Sequence, residues 1–205
     1  IQEQDLSETR IDQRLDYILS NLRDDKLYIA FVAEFSRGKS ELINAIFFAD
    51  FGQRILPSSA GRTTMCPTEL MYNQDSEPCL RLLPIETRLN GTTISEYKGF
   101  KEEWIVIPID IKTPEKMAEV LKHIIEVKKV GIKEAQDLGL HVAENETDVG
   151  MQISEDGKVE IPRWRHAIIN YPHPLLEQGL VILDTPGLNA LGAEQFRVLA
   201  GRIVQ

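Results

Sequence analysis

The residues best suited to chemistry lie in the stretch AEFSRGKS, residues 33–40. Gly38, Lys39 and Ser40 have the order found in loops that hold phosphate. There the glycine lets backbone N–H groups approach, the lysine reaches the β- and γ-phosphates, and the serine hydroxyl binds Mg²⁺. Ala33 replaces the usual first glycine. Its methyl group is tolerable if this position has ordinary β geometry. The stretch predicts a nucleotide phosphate site; the alternative is a chance Gly-Lys-Ser at a helix start.

A second candidate follows the apolar run LVIL in LVILDTPGL, residues 180–188. A carboxylate at the carboxyl end of a strand, here Asp184, can hold Mg²⁺ through a water, and Gly187 can give its N–H to a γ-phosphate. Asp-Thr-Pro-Gly also occurs as a plain turn, but a plain turn does not explain Gly-Lys-Ser after an earlier strand. The two elements together favour a metal-assisted triphosphate site.

Thr63 and Thr64 lie between these elements, in a segment rich in Gly, Ser, Thr and Pro, residues 52–67. A threonine in such a segment can contact Mg²⁺ and γ-phosphate while triphosphate is bound and release them afterwards. Such a segment converts the phosphate state into a change of shape. The alternative is an ordinary Ser/Thr-rich surface loop.

These three stretches, FSRGKS, LPSSAGRTTMCPT and LVILDTPGL, together resemble the GTPase domain of dynamin-like proteins, bacterial members in particular. The resemblance implies nucleotide contacts from Phe35, Ser36, Arg37, Gly38, Lys39, Ser40, Glu41, Thr64, Asp184 and Gly187. It implies catalytic roles for Ser36, Arg37, Lys39 and Thr64, and Mg²⁺ ligation by Ser40, Thr64 and Asp184. Ser36 would lie near the attacking water, and Thr64 would sense the metal.

Two positions depart from the family pattern. Phe35 stands where eukaryotic dynamins have glutamine, so a polar contact to the water or to a partner subunit is lost or made differently. Arg37 stands where they have a small residue, and it could stabilise charge on the transferring phosphoryl group as a built-in arginine finger. An exposed arginine that faces solvent or a dimer partner is the alternative.

The resemblance implies Mg²⁺-dependent binding and hydrolysis of GTP to GDP, coupled to conformational change and to a homodimer through the nucleotide face. Membrane remodelling would depend on regions outside this chain, and the expected location is cytoplasmic, peripheral at the inner membrane. The chain ends at Gln205 before the guanine-reading motif of N/TKxD type, so guanine specificity is implied by the resemblance alone. A scaffold that binds GTP or GDP with negligible hydrolysis stays open, as does an ATP-using P-loop protein.

The elements that must position these residues follow from apolar runs and periodicity. Strands are predicted at 26–33, 68–73, 79–85, 102–110, 165–172 and 179–187. A helix is predicted over 40–48, with Leu42, Ile43, Ile46 and Phe47 facing inward. Thr113 and Pro114 predict a further helix start, with the threonine hydroxyl as its cap. A second short helix is predicted near 132–138.

The resemblance implies a three-layer α/β/α P-loop NTPase fold of dynamin type, incomplete in this chain. Residues 1–24 would be an N-terminal helix whose apolar stripe, Ile11 to Leu22, packs in a helix bundle or on the sheet. Residues 25–205 would be the partial GTPase domain, with an α/β insertion at about 84–164 between the two switch elements.

Composition limits the function classes. The 205 residues carry a net charge of −9 and are 42% hydrophobic, as in a globular protein with an ordinary core. An acidic chain is a poor candidate for binding nucleic acid by charge alone, since phosphate neutralisation needs clustered Lys and Arg, so no nucleic acid is expected as a partner. Two cysteines do not make a disulfide framework, which favours a reducing compartment.

Overall fold

The computed structural model describes residues 26–31, 38–57, 66–140 and 153–185 of the chain. The strands in these ranges are β1 (Leu27–Phe31), β2 (Thr68–Met71), β3 (Cys79–Pro84), β4 (Ile105–Pro108), β5 (Val127–Gly131), β6 (Lys158–Pro162), β7 (Trp164–Asn170) and β8 (Leu180–Asp184). The α-helices are α1 (Lys39–Phe47), α2 (Ile94–Tyr97), α3 (Pro114–Leu121), α4 (Ile132–Asp137) and α5 (Pro174–Glu177). Short 3-10 turns occupy Ala49–Phe51, Ile85–Asn90, Lys101–Glu103 and Lys122–Ile125.

Six strands form one mixed sheet in the order β1-β8-β2-β7-β3-β4. β1 runs parallel to β8 and β2 runs parallel to β7, whereas the other neighbours are antiparallel. Phe31 at the end of β1 and Thr68 at the start of β2 both lie opposite Asp184 at the end of β8. These three strand ends therefore meet at one end of the sheet, and open α/β sheets bind ligands beyond the carboxyl ends of their parallel strands.

One face of the sheet is covered by α1 and α3. Each helix places apolar side chains four residues apart toward the sheet: Ile43 and Phe47 on α1, Met117 and Leu121 on α3. They pack against inward residues of four strands, Leu70, Leu80, Leu82, Ala167, Ile169 and Ile182, in the largest buried cluster. Spacing of this kind puts one stripe of a helix on the core, and burial of that stripe rather than helix propensity stabilises so short a helix.

The helix prediction for 40–48 was right in position and partly wrong in orientation. Ile43 and Phe47 are buried, but Leu42 is 48% exposed and Ile46 is 41% exposed. All four residues are apolar, so their pattern did not define a single inward stripe. The core takes only the Ile43–Phe47 stripe, and Leu42 and Ile46 lie at the surface of the described residues.

The opposite face of the sheet is covered by the chain between β3 and β4. Tyr97 of α2, Phe100 and Trp104 pack on Leu83 and Ile168 of the sheet. The indole N–H of Trp104 donates to the Tyr97 carbonyl at 2.7 Å, which satisfies its polar group inside this cluster. The sheet thus has helical or turn layers on both faces, as the three-layer prediction requires.

The segment predicted as an insertion, about 84–164, contributes to two parts of the structure. Strand β4 extends the main sheet, and α3 belongs to its core. The antiparallel pair β5–β6 forms a second sheet with α4 and its own cluster, which includes Ile85, Val130, Ala135, Leu138, Val159 and Ile161. Arg88 ties this unit to the turn after β3, since its Nε donates to the Leu138 carbonyl at 2.8 Å.

Most of the other predicted strands and helices are present in the structure. Strands are found inside every predicted strand range or within one residue of it, and the second short helix is α4. The predicted strand 102–110 is shorter, because Lys101–Glu103 forms a 3-10 turn. Helix α3 starts with Pro114 as predicted. The prediction that the Thr113 hydroxyl caps this helix is wrong, because Thr113 Oγ1 donates to Asp110 Oδ2 at 2.9 Å instead. The N-terminal helix prediction, 1–24, lies outside the described residues.

In the part of the chain that the structure describes, no helix has both the length and the apolar character that a bilayer crossing demands.

Candidate functional site

Gly38 makes the turn into α1. Its φ of 81° and ψ of 18° are left-handed, and a Cβ added to it would meet no atom within 4 Å. The backbone angle, not lack of space, therefore requires glycine here. The first N–H groups of a helix have no intrahelical partner, and Gly38 has no side chain that could cap them. The start of α1 is thus suited to an anion.

Ser40 and Asp184 meet at this point. Ser40 Oγ donates to Asp184 Oδ2 at 2.9 Å, which joins the first turn of α1 to the end of β8 across 144 residues. Burial raises the pKa of Asp184, and the Ser40 hydrogen bond and the Lys39 charge oppose that rise. A hydroxyl and a carboxylate this close are the hard oxygen donors that Mg²⁺ prefers, so the residues present fit that ion.

Lys39 is the first residue of α1 and is partly buried. Its ammonium acts electrostatically on Asp184, where it opposes the rise that burial causes in the pKa of that carboxyl group. The structure therefore brings together Gly38, Lys39, Ser40 and Asp184, as the two sequence motifs predicted.

Thr185 has a role that the sequence did not reveal. Its Oγ1 donates to the Phe31 carbonyl at 2.7 Å, and only 7% of Thr185 is exposed. Since Phe31 ends β1 and Thr185 follows β8, this hydrogen bond joins the two strands just where the loop that leads to α1 leaves the sheet. It fixes the end of β1 relative to the end of β8, where Asp184 lies.

Asn44 is a second residue that sequence reasoning missed. It lies one turn beyond Ser40 on the buried face of α1 and is 8% exposed. Its Oδ1 accepts from Ile55 N at 2.9 Å and from Leu56 N at 2.8 Å. Its Nδ2 donates to the carbonyls of Leu56 and Ser40, each at 2.9 Å. The signal in the sequence was one amide among apolar residues on the inward side of a short helix.

Glu41, a predicted nucleotide contact, is about half exposed and forms an ion pair with Arg54 in the segment after α1. The predicted site residues Phe35, Ser36, Arg37, Thr64 and Gly187 lie outside the described residues.

A buried charged cluster lies on the reverse face of the sheet. Glu69 of β2 and His166 of β7 are 5% and 3% exposed, and His166 Nε2 lies 3.0 Å from Glu69 Oε1. Lys98 Nζ contacts both carboxylate oxygens of Glu69, at 2.6 and 2.7 Å. Burial alone would raise the pKa of Glu69, but the charges and hydrogen bonds of Lys98 and His166 lower it to about 2. Glu69 is the residue next to Thr68, so the cluster holds β2 where it borders Asp184.

Comparison with known proteins identifies the family. A family model described as the dynamin family matches residues 29–204. The chain belongs to the dynamin family. This match covers the end of the strand before Gly38, the segment with Thr64 and the strand that ends at Asp184. The dynamin-family match and the mixed sheet with helices on both faces confirm the predicted fold, an incomplete α/β P-loop domain of dynamin type.

Solved structures of bacterial dynamins are also similar to this dynamin-family chain. Two similar chains belong to an oligomerised bacterial dynamin pair described as a mechanism for the long-range sensing and tethering of membranes. One is 24% identical with a TM-score of 0.37, over 80% of this chain and 17% of that one. The other is 13% identical with a TM-score of 0.38, over 100% of this chain and 32% of that one. The chain thus spans at most about a third of these relatives. No curated protein matches it.

Proposed function

We propose that this chain is the nucleotide-binding part of a dynamin-family GTPase, which binds GTP with Mg²⁺ at the start of α1 and hydrolyses it to GDP. The hydrogen bond between Ser40 and Asp184, 2.9 Å long, carries the proposal. It unites a phosphate-type turn with a strand-end carboxylate, and a triphosphate with its metal needs both. A chance Gly-Lys-Ser would have no reason to bond Asp184 at the end of a distant strand.

Each residue then has a distinct task. The amides that follow Gly38 and the Lys39 ammonium bind the β- and γ-phosphates. Ser40, Asp184 and Thr64 would hold Mg²⁺, which when bound neutralises charge that develops on the phosphate oxygens. Glu41, with Phe35, completes the set of proposed nucleotide contacts.

Hydrolysis would depend on positioning and on charge rather than on a strong base. Ser36 and the backbone near Thr64 are proposed to orient the attacking water, and Arg37 to stabilise charge on the transferring phosphoryl group. Positioning of this kind lowers a barrier because it removes the entropy cost of bringing the reactants together. Gly187 would add an N–H to the γ-phosphate.

Self-association belongs to the same proposal. Membership of the dynamin family supports a homodimer across the nucleotide face, coupled to conformational change. Contact with a membrane would come from parts of the protein beyond this chain, with the protein in the cytoplasm and peripheral at the inner membrane. The second candidate is a GTP- or GDP-dependent scaffold with negligible hydrolysis, which Phe35 favours because it replaces the family's polar side chain at that position.

The test compares nucleotide binding by the full-length protein with fluorescent GTP and ATP analogues, each with Mg²⁺ and with a chelator. Lys39→Ala should abolish binding. Lys133→Ala removes an exposed lysine of another helix and should leave binding unchanged. If affinity survives Lys39→Ala, the phosphate site is misassigned, and if ATP binds as well as GTP, the guanine assignment is wrong.

Hydrolysis needs a separate measurement. Single-turnover GTP hydrolysis at low and at raised protein concentration should show a rate above background that increases with concentration, because dimerisation completes the site. A rate that stays at background at both concentrations would leave only the scaffold.

A further inference from the structure

The hydroxyl of Thr185 closes the ladder between β1 and β8. The two strands run parallel, and their register ends where Phe31 lies opposite Asp184. Thr185 is the next residue, and its Oγ1 donates to the Phe31 carbonyl at 2.7 Å. Pro186 follows, and a proline has no N–H with which a strand could continue to pair. The side-chain bond thus extends the contact between the strands as far as the proline.

This bond is shielded from water. Thr185 is 7% exposed, and Phe31 is partly buried and packs against the core cluster under α1. A distance of 2.7 Å is typical of a good hydrogen bond from a hydroxyl. When one partner of a buried bond is removed, the other loses its compensation and solvent does not readily supply a substitute. The junction of β1 and β8 therefore depends on this hydroxyl.

The same junction affects the geometry of the candidate metal ligands. Asp184 lies between two neighbouring strands, opposite Phe31 of β1 and Thr68 of β2. Ser40 reaches its carboxylate at 2.9 Å from α1, the helix that follows β1 in the chain. The distance between Ser40 and Asp184 therefore depends on how β1 and β8 are joined at this end of the sheet. Strand ends open more easily than strand centres, so a bond at the very end affects that distance most directly.

We propose that Thr185 is a positioning residue of the metal site: its bond to the Phe31 carbonyl keeps Asp184 at the distance from Ser40 at which both can hold Mg²⁺. The inference rests on the proposed function and adds a residue to which that function assigns no role. Loss of the hydroxyl lets the end of β8 move relative to β1. Mg²⁺ binding is then weakened, while the first turn of α1 still binds phosphate.

The experiment measures the dissociation constant of the full-length protein for a non-hydrolysable GTP analogue, once with Mg²⁺ and once with a chelator. The ratio of the two constants is the gain in affinity that Mg²⁺ provides. Thr185→Val keeps the branched shape and loses the hydroxyl, and it should lower this gain about tenfold, the lower end for loss of a residue that orients a metal ligand. Thr185→Ser keeps the hydroxyl and should retain the gain. A merely structural role would not change the gain, because partial unfolding lowers both affinities by the same factor.

Thr87→Val is the matched control. Thr87 is 6% exposed and its Oγ1 donates to the Pro84 carbonyl at 2.7 Å, so burial, bond length and acceptor match those of Thr185. It follows β3, which β2 and β7 separate from β8. Urea unfolding should show similar losses of stability for the two valine variants, but only Thr185→Val should lose the Mg²⁺ gain. Thr185→Ala provides a second variant without the hydroxyl if valine does not pack.

The outcomes separate the inference from the proposed function. An unchanged gain in Thr185→Val and Thr185→Ala would overturn the inference, as would an equal fall in Thr185→Ser or in Thr87→Val, while the proposed function stands. If the unmodified protein fails to bind the analogue, or binds it no more tightly with Mg²⁺ than with the chelator, the proposed function is overturned, and this inference with it.

Discussion

Replacing Lys98 with methionine tests how β2 is held beside the candidate site. The change removes the ammonium that contacts both oxygens of Glu69 at 2.6 and 2.7 Å and leaves a side chain of similar length. Glu69 is 5% exposed and the Lys98 side chain is 15% exposed, so water does not readily replace the lost partner. His166, at 3.0 Å, would be the remaining partner of the carboxylate.

The pKa of Glu69 gives the magnitude. Its surroundings lower that pKa from an ordinary 4.5 to about 2, in spite of the burial that acts to raise it. Each pKa unit corresponds to about 1.4 kcal/mol, so preference for the charged form contributes about 3 kcal/mol to the free energy of unfolding at neutral pH. Removal of one partner from a buried ion pair costs about 3–5 kcal/mol. We expect Lys98→Met to lower stability by about 3 kcal/mol at pH 7.

The pH dependence has a definite sign. Because the pKa of Glu69 is lower in the folded protein than in the unfolded chain, its contribution is complete above pH 4.5 and is lost as pH falls from 4.5 toward 2. In Lys98→Met, Glu69 can take up a proton at acid pH, and the folded variant then no longer buries an unpaired carboxylate. The stability difference between the unmodified protein and Lys98→Met should therefore be largest at neutral pH and shrink as pH falls below 4.5.

Urea unfolding at a series of pH values from 7 to 3 measures this difference. Lys101→Met, which removes an exposed lysine three residues further along, is the control and should change stability by less than about 0.5 kcal/mol. A loss below about 1 kcal/mol at pH 7 in Lys98→Met, or a loss equally large at pH 7 and pH 3, would refute the reasoning.

Three further predictions concern the site itself. Gly38→Ala and Gly52→Ala both put a methyl group at positive φ with free space around it, so each should cost about 1–2 kcal/mol in urea unfolding, but only Gly38→Ala should also weaken nucleotide binding. Thr185→Val should lower stability by about 1 kcal/mol through loss of its hydrogen bond to the end of β1, and Thr185→Ser should restore it; equal stability of the two variants would contradict this role. Ser40→Ala should reduce GTP affinity measured with Mg²⁺ and leave affinity measured in a chelator nearly unchanged; an equal loss in both conditions would argue against metal binding by Ser40 and Asp184.

The sequence could predict the frame of the site because that frame depends on local patterns. Apolar, β-branched runs located the strands, and the Gly-Lys-Ser turn and the Asp-Thr-Pro-Gly turn each follow one of them. Since β1 and β8 are parallel neighbours, their carboxyl ends lie together, and Ser40 meets Asp184 as expected. No single motif predicts the fold. The three motifs in their order along the chain resemble the dynamin family, and that resemblance predicted how the elements are arranged.

The sequence could not predict contacts whose partners come from distant positions. Glu69 and His166 lie 97 residues apart, and nothing local marks either as half of a buried pair. The hydroxyl of Thr185 reaches a carbonyl 154 residues earlier in the chain. The orientation of α1 failed for a similar reason: Leu42 and Ile43 are equally apolar, and only the location of the sheet decides which of them is buried.

These contacts share a consequence for how the site keeps its geometry. Within the described residues, Asn44 joins α1 to the segment that follows it, Thr185 joins β8 to β1, and Glu69 holds β2 from the reverse face. Apolar packing is not directional, so a core can lose a methyl group and keep its strand ends nearly in place, at a cost in stability. A hydrogen bond to a particular carbonyl or N–H fixes direction as well as distance. Changes in the apolar core should therefore lower stability with little effect on nucleotide binding, whereas changes at Asn44 should lower stability and also release residues 55 and 56 from α1.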